Sequence, residues 1–209
     1  MKHKKISAAD LTLAALFAAL TAVFSQISFP LPFTPVPINL ATLAFMLAGS
    51  LLGSSAGLLS QLVFLCLGLC GLPVFAEFTG GPGILFGPTG GYIPGYAAGA
   101  CVIGLLFEHM PASTCCAPVG ADASASSPTA RPQPQRLPQF LTVCIFLLGL
   151  CLCYLSGTLW FMFQTGNSLA ASLLMCVWPF LPGEILKVIA AVLLTRRLRP
   201  HILNLEGRE

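Results

Sequence analysis

The chain has 209 residues, 56% of them hydrophobic and only 8% charged, with a mean hydropathy of +0.87 and a net charge of +3. A soluble domain carries about 25% charged residues, so this composition excludes a water-soluble globular protein and places the chain in a bilayer. The small positive excess gives no electrostatic footprint for nucleic acid.

Met1-Lys-His-Lys-Lys leads into an apolar run without an A-x-A-like exit, which reads as a retained first span and not a cleaved signal peptide. A span needs about 20 apolar residues, somewhat fewer where the bilayer thins. Stretches 8–29, 37–53, 55–72, 88–108, 139–163 and 170–196 qualify. The predicted fold class is therefore an all-α integral membrane protein with six transmembrane helices in one domain, 1–209. On the first span Ala14, Ala18 and Ala22, with Ala15 and Ala19, form a small-residue ridge that either packs internally or docks a second membrane protein. Residues 30–38 (P-L-P-F-T-P-V-P-I) make a proline-stiffened connection. The second and third spans meet at Gly53-Ser54-Ser55 as a tight hairpin. Residues 73–87 are Gly-rich and aromatic, and Phe75, Phe78 and Phe86 suit a lid or pocket wall better than a solvated turn. Gly95 and Gly99 fit helix packing in the fourth span, whereas Gly90 and Gly91 at its start suit either packing or backbone approach to a ligand. The stretch 111–138, rich in Ala, Ser, Pro and Gln, reads as a disordered cytoplasmic linker. The sixth span is broken near Pro179 and Pro182-Gly183, since proline removes a backbone donor.

Orientation follows from the basic residues. With the N-terminus inside the cell, Lys2, Lys4, Lys5, Arg131, Arg136, Arg196, Arg197, Arg199 and Arg208 are all cytoplasmic, as are both chain ends. Lys187 is the exception. It stands in P-F-L-P-G-E-I-L-K, three residues after Glu184 and on the same helix face. A charge at the bilayer centre costs about 2.5–3.5 kcal/mol. Either the two charges satisfy each other, or Lys187 receives an anionic group while Glu184 accepts hydrogen bonds from ligand N–H donors. Broken membrane helices are a recurrent way to build such a site.

Enzyme chemistry has little support. The chain has no G-x-x-x-x-G-K-[ST] and no H-E-x-x-H, and His3, His109 and His201 fall far apart. Its nine cysteines contain no C-x-x-C pair, so no metal site is expected. Gly53-Ser54-Ser55-Ala56-Gly57 matches G-x-S-x-G but sits in a turn between spans, without the strand that a nucleophile elbow needs. Neither an enzyme nor a resident cofactor is expected.

Four stretches, F-T-P-V-P-I-N-L-A-T-L-A at 33–44, G-L-P-V-F-A at 71–76, G-P-T-G-G-Y at 87–92 and P-F-L-P-G-E-I-L-K at 179–187, together resemble the BioY family of biotin transporters. The resemblance implies a six-helix S-component fold in the cell membrane, with biotin captured from outside. It also implies coupling to a T component and two ATPase subunits of an energy-coupling factor (ECF) transporter, through which alone ATP would enter. The family's P-G-[DE]-x-x-K falls on Glu184 and Lys187, with glutamate where aspartate is common. G-P-T-G-G-Y brings in Thr89, Gly90, Gly91 and Tyr92, whose ring would cover the ligand. The loop after G-L-P-V-F brings in Phe75 and, as its charged candidate, Glu77. Ala14 and Ala18 resemble the Ala-x-x-x-Ala docking patch of S components.

Biotin has an apolar ring and chain, a ureido group with two N–H donors and one acceptor, and a carboxylate. An apolar pocket with one acceptor, one cation and walls from Phe75, Phe78, Tyr92 and Trp178 suits it. With no arginine in the outer half, Lys187 is expected to take the carboxylate. The competing expectations are an S component or stand-alone carrier for another small anionic vitamin, and a non-transporting scaffold whose Glu184–Lys187 pair only orients helices.

Overall fold

Ser7 starts the first helix. Its hydroxyl accepts from Asp10 N and the Asp10 carboxylate accepts from Ser7 N, a capping box that opens α1 (Ala8–Gln26). The computed structural model describes residues 7–32, 34–109 and 138–206. The linker expected at 111–138 lies, apart from Pro138, outside the described residues.

Three residues short of the expected end of the first span, the helix gives way to a strand. Phe29, Leu31, Thr34 and Val36 each precede a proline, and the proline ring drives the preceding residue into extended backbone. The result is a two-stranded antiparallel hairpin of β1 (Ser28–Leu31) and β2 (Thr34–Asn39), in register Ser28↔Asn39, Phe29↔Ile38 and Leu31↔Thr34. The sequence reading treated this segment as a stiff connection only.

The second and third predicted spans form one element, α2 (Ala41–Leu69), interrupted at Gly53 with φ 79° and ψ −171°. That backbone is open to glycine and strained for any other residue. The chain doubles back there: a Cβ on Gly57 would lie 3.1 Å from Ala48 O and 3.2 Å from Gly49 Cα. The expected hairpin is thus present, with arms 41–52 and 54–69. Residues 41–51 are buried on every face, which makes the first arm the core of the bundle. At about 18 Å it is too short to cross a bilayer alone, and the β-hairpin continues it. A polar bond from Gln61 Nε2 to Thr21 Oγ1 (3.1 Å) ties the second arm to α1.

A short helix α3 (Pro82–Leu85) precedes α4 (Tyr92–His109), which starts four residues later than expected because 86–91 turn. α4 lies against both arms of α2. Its last turn holds the Gly53 tip: Glu108 Oε1 accepts from Ser54 N (2.6 Å) and Oε2 from Ser54 Oγ (2.8 Å), capping the second arm from another helix. Gly95 and Gly99 face α5 (Gln139–Thr165) at Cys153 and Gly149, as packing predicts. α5 ends at Gly166, in the left-handed conformation (φ 68°).

The sixth span is broken as expected, into α6 (Leu169–Cys176) and α7 (Leu181–Glu206), joined by a 3-10 turn at Trp178–Phe180. The break centres on 177–180. Pro182 and Gly183 lie inside the first turn of α7, where proline's missing N–H has no partner to lose. Among the described residues, four helical stretches are long and apolar enough by length and composition to cross a membrane: α1, α2 counted through its reversal at Gly53, α5 and Leu169–Arg199. Leu16, Phe140, Leu155, Phe163 and Leu186 point outward from them, as lipid-facing side chains do.

Candidate functional site

Where the β-hairpin, the start of α2 and the α6–α7 break meet, the described residues enclose a cavity of about 260 Å³. That lies just under the ~300–1,000 Å³ of drug-sized ligand sites, room for one small molecule. Its polar floor is built by the break. Starting α7 at Leu181 puts Glu184 in the helix's first turn, where unpaired N–H groups and the helix dipole favour a carboxylate, and puts Lys187 one turn on.

Both side chains are buried, Glu184 to 4% exposure. Lys187 Nζ lies 2.7 Å from Glu184 Oε1 and also donates to Asn39 O (2.6 Å) and Thr42 Oγ1 (3.0 Å). An ammonium has three protons, so these partners use them all. Glu184 Oε1 accepts in addition from Thr42 Oγ1 and Tyr154 OH, each at 3.2 Å. Glu184 Oε2, equally buried, has no partner. One carboxylate oxygen is saturated and the other is bare. Leaving a buried acceptor unsatisfied costs about 1–3 kcal/mol, more when charged. Glu184 therefore brings an unsatisfied acceptor to just beneath the surface of the floor, whereas the ammonium has no free proton to offer an anion.

Aromatic rings form the walls. Tyr154 stands edge-on to Tyr92 (5.9 Å, 86°), and Phe75 stands edge-on to Phe64 (5.5 Å, 78°). Two bare glycines make room for them, since a Cβ on Gly157 or Gly68 would run into the Tyr92 or Phe75 ring.

Of the residues singled out from sequence, Glu184, Lys187, Tyr92, Glu77, Phe75 and Thr89 line this cavity together. Gly90 and Gly91 do not. Gly90 abuts the Leu85 backbone and Gly91 seats Trp160 and Ser156 O of α5, so both serve packing. Phe78 and Trp178 are 73% and 70% exposed and are not walls. Ala14 and Ala18 are each 1% exposed, on the same stripe as the buried Phe17, Thr21 and Ser25. Their methyl groups are internal packing against the bundle, and the docking role expected of them is corrected accordingly. Small side chains mark close helix approach without saying which helix approaches.

Sequence reasoning missed Asn39, Thr42, Tyr96, Tyr154 and Phe180, all on the cavity wall. Asn39 and Thr42 lay inside the quoted 33–44 stretch, and Tyr154 stood out as a hydroxyl in an apolar run.

Comparison with known proteins bears on this geometry. The sequence profile described as the BioY family matches residues 1–204. The chain belongs to the BioY family. A "Probable biotin transporter BioY" of Pyrococcus horikoshii is 34% identical over 199 residues, covering 95% of this chain and 98% of that protein. The biotin transporter BioY of Rhodobacter capsulatus is 33% identical over 214 residues, again 95% and 98%. A crystal structure of the S-component for biotin from an ECF-type ABC transporter superposes with a TM-score of 0.75 at 31% identity, over 92% of this chain and 91% of that one. With BioY membership and the S-component fold, the chain is a multi-pass membrane protein of a transporter family and not an enzyme.

Proposed function

We propose that this BioY chain binds biotin as the S component of an ECF-type transporter, taking it from the outer side of the cell membrane. What carries the reading is the unpartnered Glu184 Oε2 lying just beneath the floor of a small aromatic-walled cavity, so that a small turn of the carboxylate brings it to a ligand donor. The ureido ring supplies N–H donors for that oxygen, and burying it without such a partner would cost a few kcal/mol. The thiophane ring lies among Tyr92, Tyr154 and Phe75, and the valeryl chain runs toward the 75–79 loop. Lys187 is already matched by Glu184, Asn39 and Thr42, which favours the ureido and not the carboxylate at the floor.

On this reading both termini are cytoplasmic, which the clustering of basic residues supports. Arg196, Arg197 and Arg199 lie 12–15 residues beyond Glu184 on α7, roughly 18–22 Å from the cavity at 1.5 Å per residue. The cavity end then faces outward. No cofactor belongs to the chain itself, and ATP acts through partner subunits, a T component and two ATPases. The small-residue surface open to such a partner is the outward stripe of α1 at Ala15 and Ala19.

Isothermal titration of the purified chain tests the reading. Biotin and desthiobiotin, which share the ureido, are expected to bind, and thiamine and riboflavin to give no heat. A chain that binds another anionic vitamin instead, or nothing, defeats it. For docking, Ala15→Leu with Ala19→Leu should abolish partner-dependent uptake and leave biotin affinity unchanged.

A further inference from the structure

The loop from Pro73 to Thr79 closes one side of the cavity, lending it Phe75, Ala76, Glu77 and Thr79. Its shape is not one the chain adopts unaided. Glu77 and Phe78 are consecutive non-glycine residues in the left-handed region, at φ 59° and 55°, where an L side chain crowds its own backbone. Within the loop, Phe75 N donates to Thr79 O (3.0 Å) and Thr79 Oγ1 to Ala76 O (2.7 Å). Those bonds fasten its two ends and leave the tip, and the strand leading into it, to be held from outside.

Phe75 packs its ring on Phe64, and the polar hold comes from the end of α1, most of it from the last side chain of that helix. Gln26 Nε2 donates to Pro73 O (3.1 Å) and Phe75 O (3.0 Å), and Gln26 Oε1 accepts from Phe78 N (2.9 Å). Ser25 Oγ beside it donates to Val74 O. The carboxamide grips the loop before, at and beyond the point where it bends into the cavity. Only an amide carries two donors and an acceptor in one plane; glutamate would set a second oxygen against the two carbonyls, and leucine would satisfy none of the three groups. Gln26 Nε2 also touches the neighbouring Ser25 Oγ (3.4 Å), but each of its three bonds to the loop goes to backbone, so its specificity is for the loop's shape and not for its side chains. A residue that fastens a strained segment over a cavity while touching no ligand sets how long the segment stays shut.

We infer that Gln26 is a positioning residue: its carboxamide latches the 73–79 loop in the strained form that closes the cavity, and release of this latch is the opening step for the ligand. The choice of biotin as probe rests on the proposed function; the latch itself is tested without it. In the purified full chain, Gln26→Leu should raise backbone hydrogen exchange across 73–79 about tenfold or more, the loss of one to two net hydrogen bonds, while α2, α4 and α5 stay as protected as before. Gln26→Glu keeps the acceptor for Phe78 N and should fall between the two. Tritiated biotin should leave the Leu variant about tenfold faster, with a smaller change in its association rate. Unchanged exchange in 73–79, exchange rising equally in every helix for both variants, or an unchanged dissociation rate with the loop deprotected would each overturn the inference. If the parent chain binds no biotin, the proposed function fails, and the exchange comparison still decides the latch.

Discussion

Glu184 and Lys187 look from sequence like a symmetrical pair with one charge for each end of an amphoteric ligand, but their surroundings are unequal. The ammonium is consumed by three acceptors while one carboxylate oxygen is left bare. Glu184→Ala therefore removes the ligand's acceptor and strands Lys187. Truncating one partner of a buried charge pair costs about 2–5 kcal/mol, roughly thirtyfold to several thousandfold in biotin affinity by titration. Lys187→Ala should weaken biotin and its methyl ester to a similar extent, because the lysine acts through Glu184. If the ester is spared while free biotin loses affinity, the ammonium meets the carboxylate after all. Tyr154→Phe takes one hydrogen bond from the saturated oxygen and should cost about tenfold or a little more, as a bond to a charged acceptor does.

At the scale of elements, two breaks shape the bundle and both are built from residues that a regular helix would avoid. Gly53 reverses α2, and the α6–α7 break turns a helix end toward the cavity. Gly53→Ala would force a side chain into positive φ and against the Glu108 carboxylate, a strain of about 1–3 kcal/mol. Glu108→Ala leaves Ser54 N and the start of the second arm uncapped, a loss of about 0.5–2 kcal/mol. Both should lower the midpoint of thermal unfolding in detergent. The double variant should cost less than the sum, because the two changes act on one contact. Strict additivity would mean that Glu108 and the reversal are independent. Biotin affinity should change little in either variant, since the tip lies at the far end of α4 from Tyr92 and Thr89.

Over the whole molecule, the apolar perimeter and the placement of charge define an axis. Arg199 lies over the Phe107 ring (4.6 Å) and donates to Phe107 O (3.3 Å), joining α7 to α4 at the end opposite the cavity. Cys115 and Cys116 in the 111–138 linker, kept as the only cysteines of the chain, should react with an impermeant reagent only after the membrane is opened, if that end is cytoplasmic. Labelling in intact cells would reverse the orientation. Shortening residues 114–134 to a Gly/Ser connector should leave biotin affinity within about threefold, under ~1 kcal/mol, because the described residues that line the cavity come from both sides of that stretch and already form its floor and aromatic walls. A hundredfold loss would show that the linker supports the site.

Composition and periodicity alone determined the membrane class, the hairpin at Gly53, the break before Glu184 and the acid–lysine pair. Each is a local property: hydropathy over a window, a glycine between apolar runs, prolines at fixed places, a charge where charge is costly. What only the tertiary structure decided is how distant segments meet. Ala14 and Ala15 are neighbours in sequence with the same side chain, yet one packs inside and the other faces outward, because helix rotation is set by what packs against it. Tyr154 reaches Glu184 across 30 positions, and Gln26 reaches Phe78 across 52. Such contacts follow no sequence period, so the bare oxygen on Glu184 and the latch on the loop appear only once the helices are packed.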